Sequence, residues 1–292
     1  MVVTLSSSAL AAEISPVTAE LVRLRDRDGH DLLWNGDPAD GTGRSPLLFP
    51  IVGRLRDDRA NIAGQSYGLK PYGFARTMTF ELVTVSPSFC QFRLMTNAAT
   101  QSQYPFAFAL EVSYGLEGST LLVQAAVTNT DPSVMPVSFG FRPVLRWPLP
   151  YGGAREAHEI RFETPEPAPI RRPRDGRIAA TPHPTPVDGQ RLPLRDALFV
   201  DGALISDQLH SRIVHYGVPG RRALRVAFPD LPHLGIWTQP GADFVGIASW
   251  QGCAGPEVFT SDFAETPGLV QLAPGAVRTF EMALSVTSGP AW

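Results

Sequence analysis

Apolar and polar residues alternate along much of the chain, and turn-forming residues separate the alternating stretches. Residues 106–114 keep a strict period of two, and a second such run covers residues 120–128. This alternation is typical of β-strands with one buried face. Further strands are predicted at residues 19–24, 79–85, 91–95, 213–216, 223–228, 234–238, 244–250 and 279–286.

Helical patterning is weak throughout the sequence. No stretch of about 12 residues combines a 3.6-residue period with helix caps. Strands without intervening helices predict an all-β protein, built either as an antiparallel sheet packed on another sheet or as a barrel. The 292 residues are within the size of one large β domain, so we expect a single domain over residues 1–292.

One long segment breaks the regular pattern. Residues 148–194 are rich in proline and arginine. We expect this segment to leave the sandwich as a surface excursion, or to form a rim or lid over a cleft, since long ordered loops often carry function.

Composition and charge narrow the class of protein. Hydrophobic residues make up 43% of the chain and charged residues 18%, which indicates a globular protein with a large core. The net charge of −3 argues against a nucleic acid or an anionic membrane as partner. No apolar run approaches the roughly 20 residues that cross a bilayer.

The N-terminus and the cysteines favour a cytoplasmic protein. The first 12 residues lack the basic start of a signal peptide, and three serines interrupt their apolar run. Cys90 and Cys253 are too few for a disulfide framework. We expect both to be buried thiols in a reducing compartment.

Six short segments, in order, carry a family resemblance. Residues 44–54 (RSPLLFPIVGR), 72–76 (YGFAR) and 135–143 (MPVSFGFRP) are similar to the aldose 1-epimerase patterns PxLFPxxGR, HGFAR and MPxSxGFHP. Residues 32–38 (LLWNGDP), 235–237 (GIW) with 247–252 (IASWQG), and 272–276 (LAPGA) resemble its LLWxGDP, GIW…IEPWxG and LxPGE. The chain therefore resembles the aldose 1-epimerase (galactose mutarotase) family, especially its shorter bacterial branch.

This resemblance implies a fold and a ligand. It implies one galactose mutarotase-like β-supersandwich with a sugar cleft on its concave face and no metal or organic cofactor. The expected partner is a small sugar, bound by a monomer or a homodimer.

The family's reaction interconverts the α and β anomers of a free sugar by ring opening and closing. It needs a carboxylate base and an imidazole acid on one sugar. The resemblance aligns the family's Glu with Ala248, the His of GFHP with Arg142 and the His of HGFAR with Tyr72. Arginine stays protonated at working pH, and the reference pKa of tyrosine is near 10. Tyr72 and Arg142 are therefore the best remaining catalytic candidates.

Other polar and aromatic residues suit sugar binding. Arg54 aligns with the family's signature arginine, and Asp201 with its sugar-binding aspartate. Trp250 is expected to stack on the apolar face of a sugar or to pack in the core. The alternative for Arg54 and Asp201 is a structural ion pair or a loop brace.

The arginines suggest a hypothesis about the ligand. Arg142, together with Arg54 and Arg76, would form a cationic floor suited to carboxylate, sulfonate or phosphate. The ligand would then be an acidic sugar such as a uronate, a sulfo-sugar or a sugar phosphate. In the alternative, Arg142 pairs with a nearby carboxylate and only holds the cleft together.

Three functions stay open at this point. The chain is a divergent aldose 1-epimerase-like isomerase, a sugar-binding protein without turnover, or an enzyme of another isomerase or lyase type acting on a sugar. The residues that could act as substitute acids or bases are ones more often found as surface or core groups: Glu257, Asp262, Glu265, His158, His183, His210, His215 and His233.

Overall fold

Two large antiparallel β-sheets packed face to face form the body of the protein. The computed structural model describes residues 2–36, 43–252 and 262–287. The first strands, in chain order, are β1 (Val3–Ser6), β2 (Leu10–Ile14), β3 (Leu21–Asp26), β4 (Leu47–Leu48), β5 (Arg59–Ile62), β6 (Gln65–Gly68), β7 (Glu81–Ser86), β8 (Phe89–Met95), β9 (Phe108–Glu117), β10 (Thr120–Asn129), β11 (Met135–Val137) and β12 (Phe139–Phe141). The remaining strands are β13 (Val144–Arg146), β14 (Glu159–Phe162), β15 (Pro173–Arg174), β16 (Arg177–Ile178), β17 (Arg191–Pro193), β18 (Leu204–Ser206), β19 (Ile213–Gly217), β20 (Ala223–Ala227), β21 (His233–Trp237), β22 (Phe244–Gln251), β23 (Val270–Leu272) and β24 (Val277–Val286).

Helical structure is limited to single turns within these residues. The α-helical turn α1 (Ala98–Gln101) begins after Asn97, whose side chain accepts hydrogen bonds from two backbone N–H groups of the turn. The 3₁₀ turns are Arg56–Asp58, Ala75–Thr77, Arg155–Ala157, Asp196–Phe199 and Phe263–Glu265. The described part of the chain holds no helix with the length and apolar character needed to cross a bilayer.

The larger sheet has nine strands in the order β17-β14-β19-β20-β24-β10-β9-β8-β7. Burial alternates along β9 and β10, as the period of two in the sequence predicts. The prediction of an all-β, antiparallel protein is therefore confirmed. Of the two arrangements left open, stacked sheets are the one found.

The second sheet packs on the inner face of the first. Its strands run β18-β21-β22-β12-β4, with β13 also paired to β22. Phe139 of β12 and Phe280 of β24 stack across the interface with ring centroids 5.0 Å apart. Nearly every residue of β22 is buried, because its inner side chains pack in the main core and its outer side chains pack in two smaller clusters.

The N-terminal residues form a separate small sheet in the order β1-β2-β3. Alternate residues of β2 are fully or nearly fully buried, so this sheet closes one side of the core. Cys90 is a buried free thiol, as expected, and burial raises its pKa to about 12. Cys253 lies outside the described residues.

The segment 148–194 divides between the sheet and the surface. β14 and β17 extend the nine-stranded sheet, whereas β15 and β16 form a hairpin of their own. Arg172 ties this hairpin down by donating hydrogen bonds to the backbone oxygens of Leu198 and Gly202, each at 2.8 Å. The hairpin is therefore a fixed rim.

His158, within residues 148–194, is a buried side chain that hydrogen-bonds to two backbone groups. Its Nε2 accepts a hydrogen bond from the Leu149 N–H at 3.0 Å, so its Nδ1 carries the proton and faces the Ala154 oxygen at 3.0 Å. Burial lowers the pKa of His158. The folded protein thus holds this imidazole neutral.

We expect acid to destabilise the protein through this group. A lowered folded-state pKa means that the unfolded chain binds more protons below the unfolded value near 6.5. The free energy of unfolding should be constant above that pH and fall as the pH drops below it. Urea unfolding at pH 7.5 and pH 5.0 measures the effect. His158→Gln, which keeps a donor and an acceptor without titrating there, should show a smaller fall; an unchanged fall would contradict this assignment.

Candidate functional site

A cleft opens on the outer face of the six-stranded sheet. Its volume is about 250 Å³. The floor is a group of apolar side chains that is separate from the main core, and we call it the floor cluster: Leu48, Val52, Ile205, Ala248 and Trp250, with Tyr72, Ile178 and Ala203 packed against it. The rim hairpin contributes Pro173, Gly176, Arg177 and Ile178 to the wall.

Strand register brings the motif residues together. On β22, Trp250 pairs with Gly140 of β12 and with His233 of β21. Side chains directly opposite on antiparallel strands share a face. Arg142 follows the last residue of β12, between the pairs Gly140–Trp250 and Val144–Gly246, and both Arg142 and Ala248 line the cleft.

Trp250 forms part of the floor and lies over small residues. A Cβ placed on Gly235 would be 2.9 Å from the Trp250 ring, and one on Gly140 would be 2.7 Å from the Trp250 Cβ. The residue is 4% exposed, and its buried Nε1 has no hydrogen-bond partner within residues 2–36, 43–252 and 262–287. Trp250 therefore packs tightly and also lines the cleft, and its stacking on a sugar stays a prediction.

Tyr72 reaches the cleft from a strained backbone. Its φ is 67°, in the left-handed region, and its N–H donates to the Gly53 oxygen at 2.7 Å. Such a conformation costs a non-glycine residue roughly 1–2 kcal/mol. Gly73 follows with φ 73°, and a Cβ there would lie 2.0 Å from the Phe49 oxygen. The turn is thus fixed by its surroundings and directs Tyr72 to the cleft.

Arg142 lies between two aromatic rings. Its Cζ is 4.0 Å from the Trp237 ring centroid and 5.3 Å from that of Tyr72. Arg76 lies on Tyr72 as well, with its Cζ 5.8 Å from the ring centroid. Burial lowers the pKa of Arg142 to about 10, so the guanidinium is still charged at neutral pH.

Arg54 and Asp201 lie beside the cleft and do not line it. The Arg54 guanidinium makes a bidentate ion pair with Asp58, with N–O distances of 2.6 and 3.0 Å. Its backbone N–H holds the rim hairpin through the Gly176 oxygen at 3.1 Å. Asp201 is exposed, while the next residue, Gly202, lines the wall. Direct contact of either side chain with a sugar stays a prediction.

Two residues that line the cleft, Trp237 and Arg177, are not among the site residues predicted from the sequence. Trp237 belongs to the GIW segment, and its pairing with Gly246 places it on the same face as Trp250. A period of two counted from Gly235 would have found it. Arg177 had no signal beyond the arginine-rich composition of its segment.

The substitute acids and bases are placed elsewhere. Among the described residues, no Asp, Glu or His lines the cleft. His233 packs beside Trp250 with ring centroids 5.8 Å apart, and burial lowers its pKa. Asp262 accepts hydrogen bonds from the backbone N–H groups of Ala63 and Ala264. Glu257 lies outside the described residues.

His158, as shown above, belongs to the core. The other candidates are exposed or lie on other strands: Glu265, His183, His210 and His215.

Asp26, Asp28 and His30 are the described residues that come close enough to hold a metal ion. Arg222 occupies this group, with its Nη1 2.6 Å from an Asp28 oxygen and 3.6 Å from an Asp26 oxygen. The acidic charge is therefore balanced by a guanidinium.

Comparison with known proteins agrees with the geometry. The sequence profile of the family described as Aldose 1-epimerase matches residues 1–285. Protein LacX (chromosomal) of Lactococcus lactis subsp. lactis is 30% identical over 263 residues, which cover 86% of this chain and 88% of that protein.

Two solved structures share the fold. A galactose mutarotase related enzyme from Lactobacillus acidophilus superimposes with a TM-score of 0.90 at 26% identity, covering 100% of this chain and 99% of that one. A galactose mutarotase-like protein from Lactobacillus casei gives a TM-score of 0.86 at 24% identity, covering 98% and 100%. At 24% identity, the second match shows a shared fold and nothing further.

The backbone strain at Tyr72 predicts that a glycine substitution is more stable than an alanine substitution there, the reverse of the usual order. Glycine adopts a positive φ without steric cost, whereas alanine does not. We expect Tyr72→Gly to be more stable than Tyr72→Ala by about 1 kcal/mol in urea unfolding. Tyr67 lies in the extended strand β6 and is the control; there the alanine variant should be the more stable. Equal stability of the two Tyr72 variants would argue against the strain.

Proposed function

This chain belongs to the aldose 1-epimerase family, and from that premise we propose that its cleft binds a monosaccharide and acts on the anomeric centre. The observation that carries the proposal is the convergence in one small cleft of Tyr72, Arg142 and Trp250, which come from three separate motif segments. A cleft of about 250 Å³ is small even for a ligand site, which favours a single sugar ring.

The chemistry must differ from the usual pair of carboxylate and imidazole. Ala248 offers no proton, and the two aligned histidine positions hold Arg142 and Tyr72. The candidate groups are therefore a phenol and a guanidinium close together, with 5.3 Å between the Arg142 Cζ and the Tyr72 ring centroid. In this proposal the Tyr72 phenol donates its proton to the ring oxygen as the bond from that oxygen to C1 breaks. The anomeric hydroxyl loses its proton to solvent as C1=O forms, Tyr72 regains a proton from solvent, and Arg142 stabilises the negative charge that develops on the sugar oxygen.

The charge of the cleft favours an acidic sugar. Arg142 and Arg177 line it, and no Asp or Glu does so among the described residues. A guanidinium has five N–H donors and binds carboxylate or phosphate oxygens well. We propose a monosaccharide with an anionic substituent as the preferred ligand.

A sugar-binding protein without turnover is the second candidate. The lack of an Asp, Glu or His lining among the described residues favours it, because those side chains supply most general bases. The two candidates share the ligand and differ only in whether anomer exchange becomes faster. A different isomerase or lyase reaction at the same centre is the third candidate.

A panel of sugars tests the proposal directly. Binding is measured by calorimetry and anomer exchange by NMR, with neutral aldoses, uronates and sugar phosphates. We expect an acidic sugar to bind, and Arg142→Ala to weaken its binding by about tenfold or more through loss of a charged hydrogen bond.

Arg195→Ala is the control, since Arg195 is exposed and does not line the cleft. Unchanged uronate affinity in Arg142→Ala would end the anion proposal. Binding without faster exchange would select the protein without turnover.

Restoring the family's residues tests whether the cleft is otherwise intact. The triple variant Tyr72→His, Arg142→His and Ala248→Glu reinstates an acid and a base at the aligned positions. We expect it to gain anomer exchange on a neutral aldose, which exchange NMR would detect. The variant with Ala248→Glu omitted lacks the base and should gain none.

A further inference from the structure

Arg142 lies between two separate groups of packed side chains. Tyr72 packs on the floor cluster. A second group, the aromatic platform, consists of Trp34, Val144 and Phe244, and Trp237 and Ala242 pack against it. With Cζ distances of 4.0 Å and 5.3 Å to the Trp237 and Tyr72 ring centroids, the guanidinium has an aromatic ring from each group beside it.

The platform holds the Trp237 ring in one position. The ring meets Phe244 at 62° with centroids 5.1 Å apart, and Phe244 meets Trp34 at 4.8 Å. Trp34 is anchored by a hydrogen bond from its Nε1 to Asp243 at 2.7 Å. On the opposite strand, a Cβ on Gly246 would lie 1.9 Å from the Trp237 Nε1, so glycine provides the space that the ring fills.

We infer that Trp237 and Tyr72 fix the plane of the Arg142 guanidinium so that the cleft selects a carboxylate on the sugar over a phosphate or sulfonate. Trp237 is the positioning residue in this arrangement. The inference rests on the proposed function, because it assigns the anionic substituent of the same ligand.

The selectivity follows from the shape of the donor and of the acceptor. In this arrangement the rings cover the faces of the Arg142 guanidinium, so the N–H donors that lie in its plane are the groups that reach a ligand. Two parallel donors match the two oxygens of a planar carboxylate. A tetrahedral phosphate or sulfonate has a third charged oxygen outside that plane, toward the apolar rings, where desolvation is costly. Arg142 also interacts within the protein, and five donors allow it to keep that contact while it binds a ligand.

Calorimetry with four probes tests the inference: D-galacturonate, D-glucuronate, D-galactose and D-galactose 6-phosphate. We expect the wild-type protein to bind one of the two uronates about tenfold more tightly than the 6-phosphate and the neutral sugar. Trp237→Leu should reduce the preference for the uronate over the phosphate to within about threefold, because the leucine gives the guanidinium no flat surface. Trp237→Phe, which keeps an aromatic face, should retain most of the preference. Arg142→Lys, which keeps the charge without the planar fork, should lose it.

Trp147→Phe is the matched control, since Trp147 also lies against an arginine, with the Arg155 Cζ 3.6 Å from its ring centroid, and it is not among the residues that line the cleft. It should leave the preference for the uronate intact. An unchanged uronate-to-phosphate ratio in Trp237→Leu would overturn the inference, as would a 6-phosphate that binds the wild type as tightly as the uronates. Equal binding of galactose and the uronates would also overturn it, while the proposed function would stand. Failure of every sugar to bind would overturn both.

Discussion

Small residues on the outer face of the six-stranded sheet make the cleft possible. Gly140, Gly235, Gly246 and Ala248 occupy neighbouring positions on three paired strands, where most sheets carry larger side chains. Two tryptophan rings lie against the glycines, and a Cβ on Gly246 would come within 1.9 Å of one of them. The space above Ala248 and the position of both rings depend on this steric constraint.

The rest of the fold keeps that surface rigid. The inner face of the sheet is fixed by aromatic contacts such as the stacked pair Phe139 and Phe280. The rim hairpin is held by the Arg172 guanidinium, which donates to the Leu198 oxygen, and by the Arg54 backbone N–H, which donates to the Gly176 oxygen. The left-handed conformation of Tyr72 persists because its neighbours leave it no alternative. These contacts keep the residues around the cleft in fixed positions.

The substitutions at the aligned positions change the cleft as a set. Ala248 removes an acidic group, and Arg142 adds a permanent cation directly beside it. A glutamate at position 248 would form an ion pair with Arg142 and occupy the donors that a ligand needs. With alanine there, the cation faces an apolar floor. The residues at positions 142 and 248 therefore act on the charge of the same part of the cleft.

The sequence by itself determined the fold class, because an alternating pattern over most strands admits only sheets with a buried face. The resemblance of three short segments to family motifs also pointed to Tyr72, Arg142 and Trp250, which line one cleft in the structure. Tertiary structure alone decided which of the candidates share a surface. Arg54 forms an ion pair with a carboxylate four residues away. Strand register places Trp237 at the cleft, and a hairpin anchored to residues far along the chain places Arg177 there. The alternation along β21 puts Trp237 on the same face as Gly235, but which face borders the cleft, and the place of Arg177 beside it, depend on long-range strand pairing.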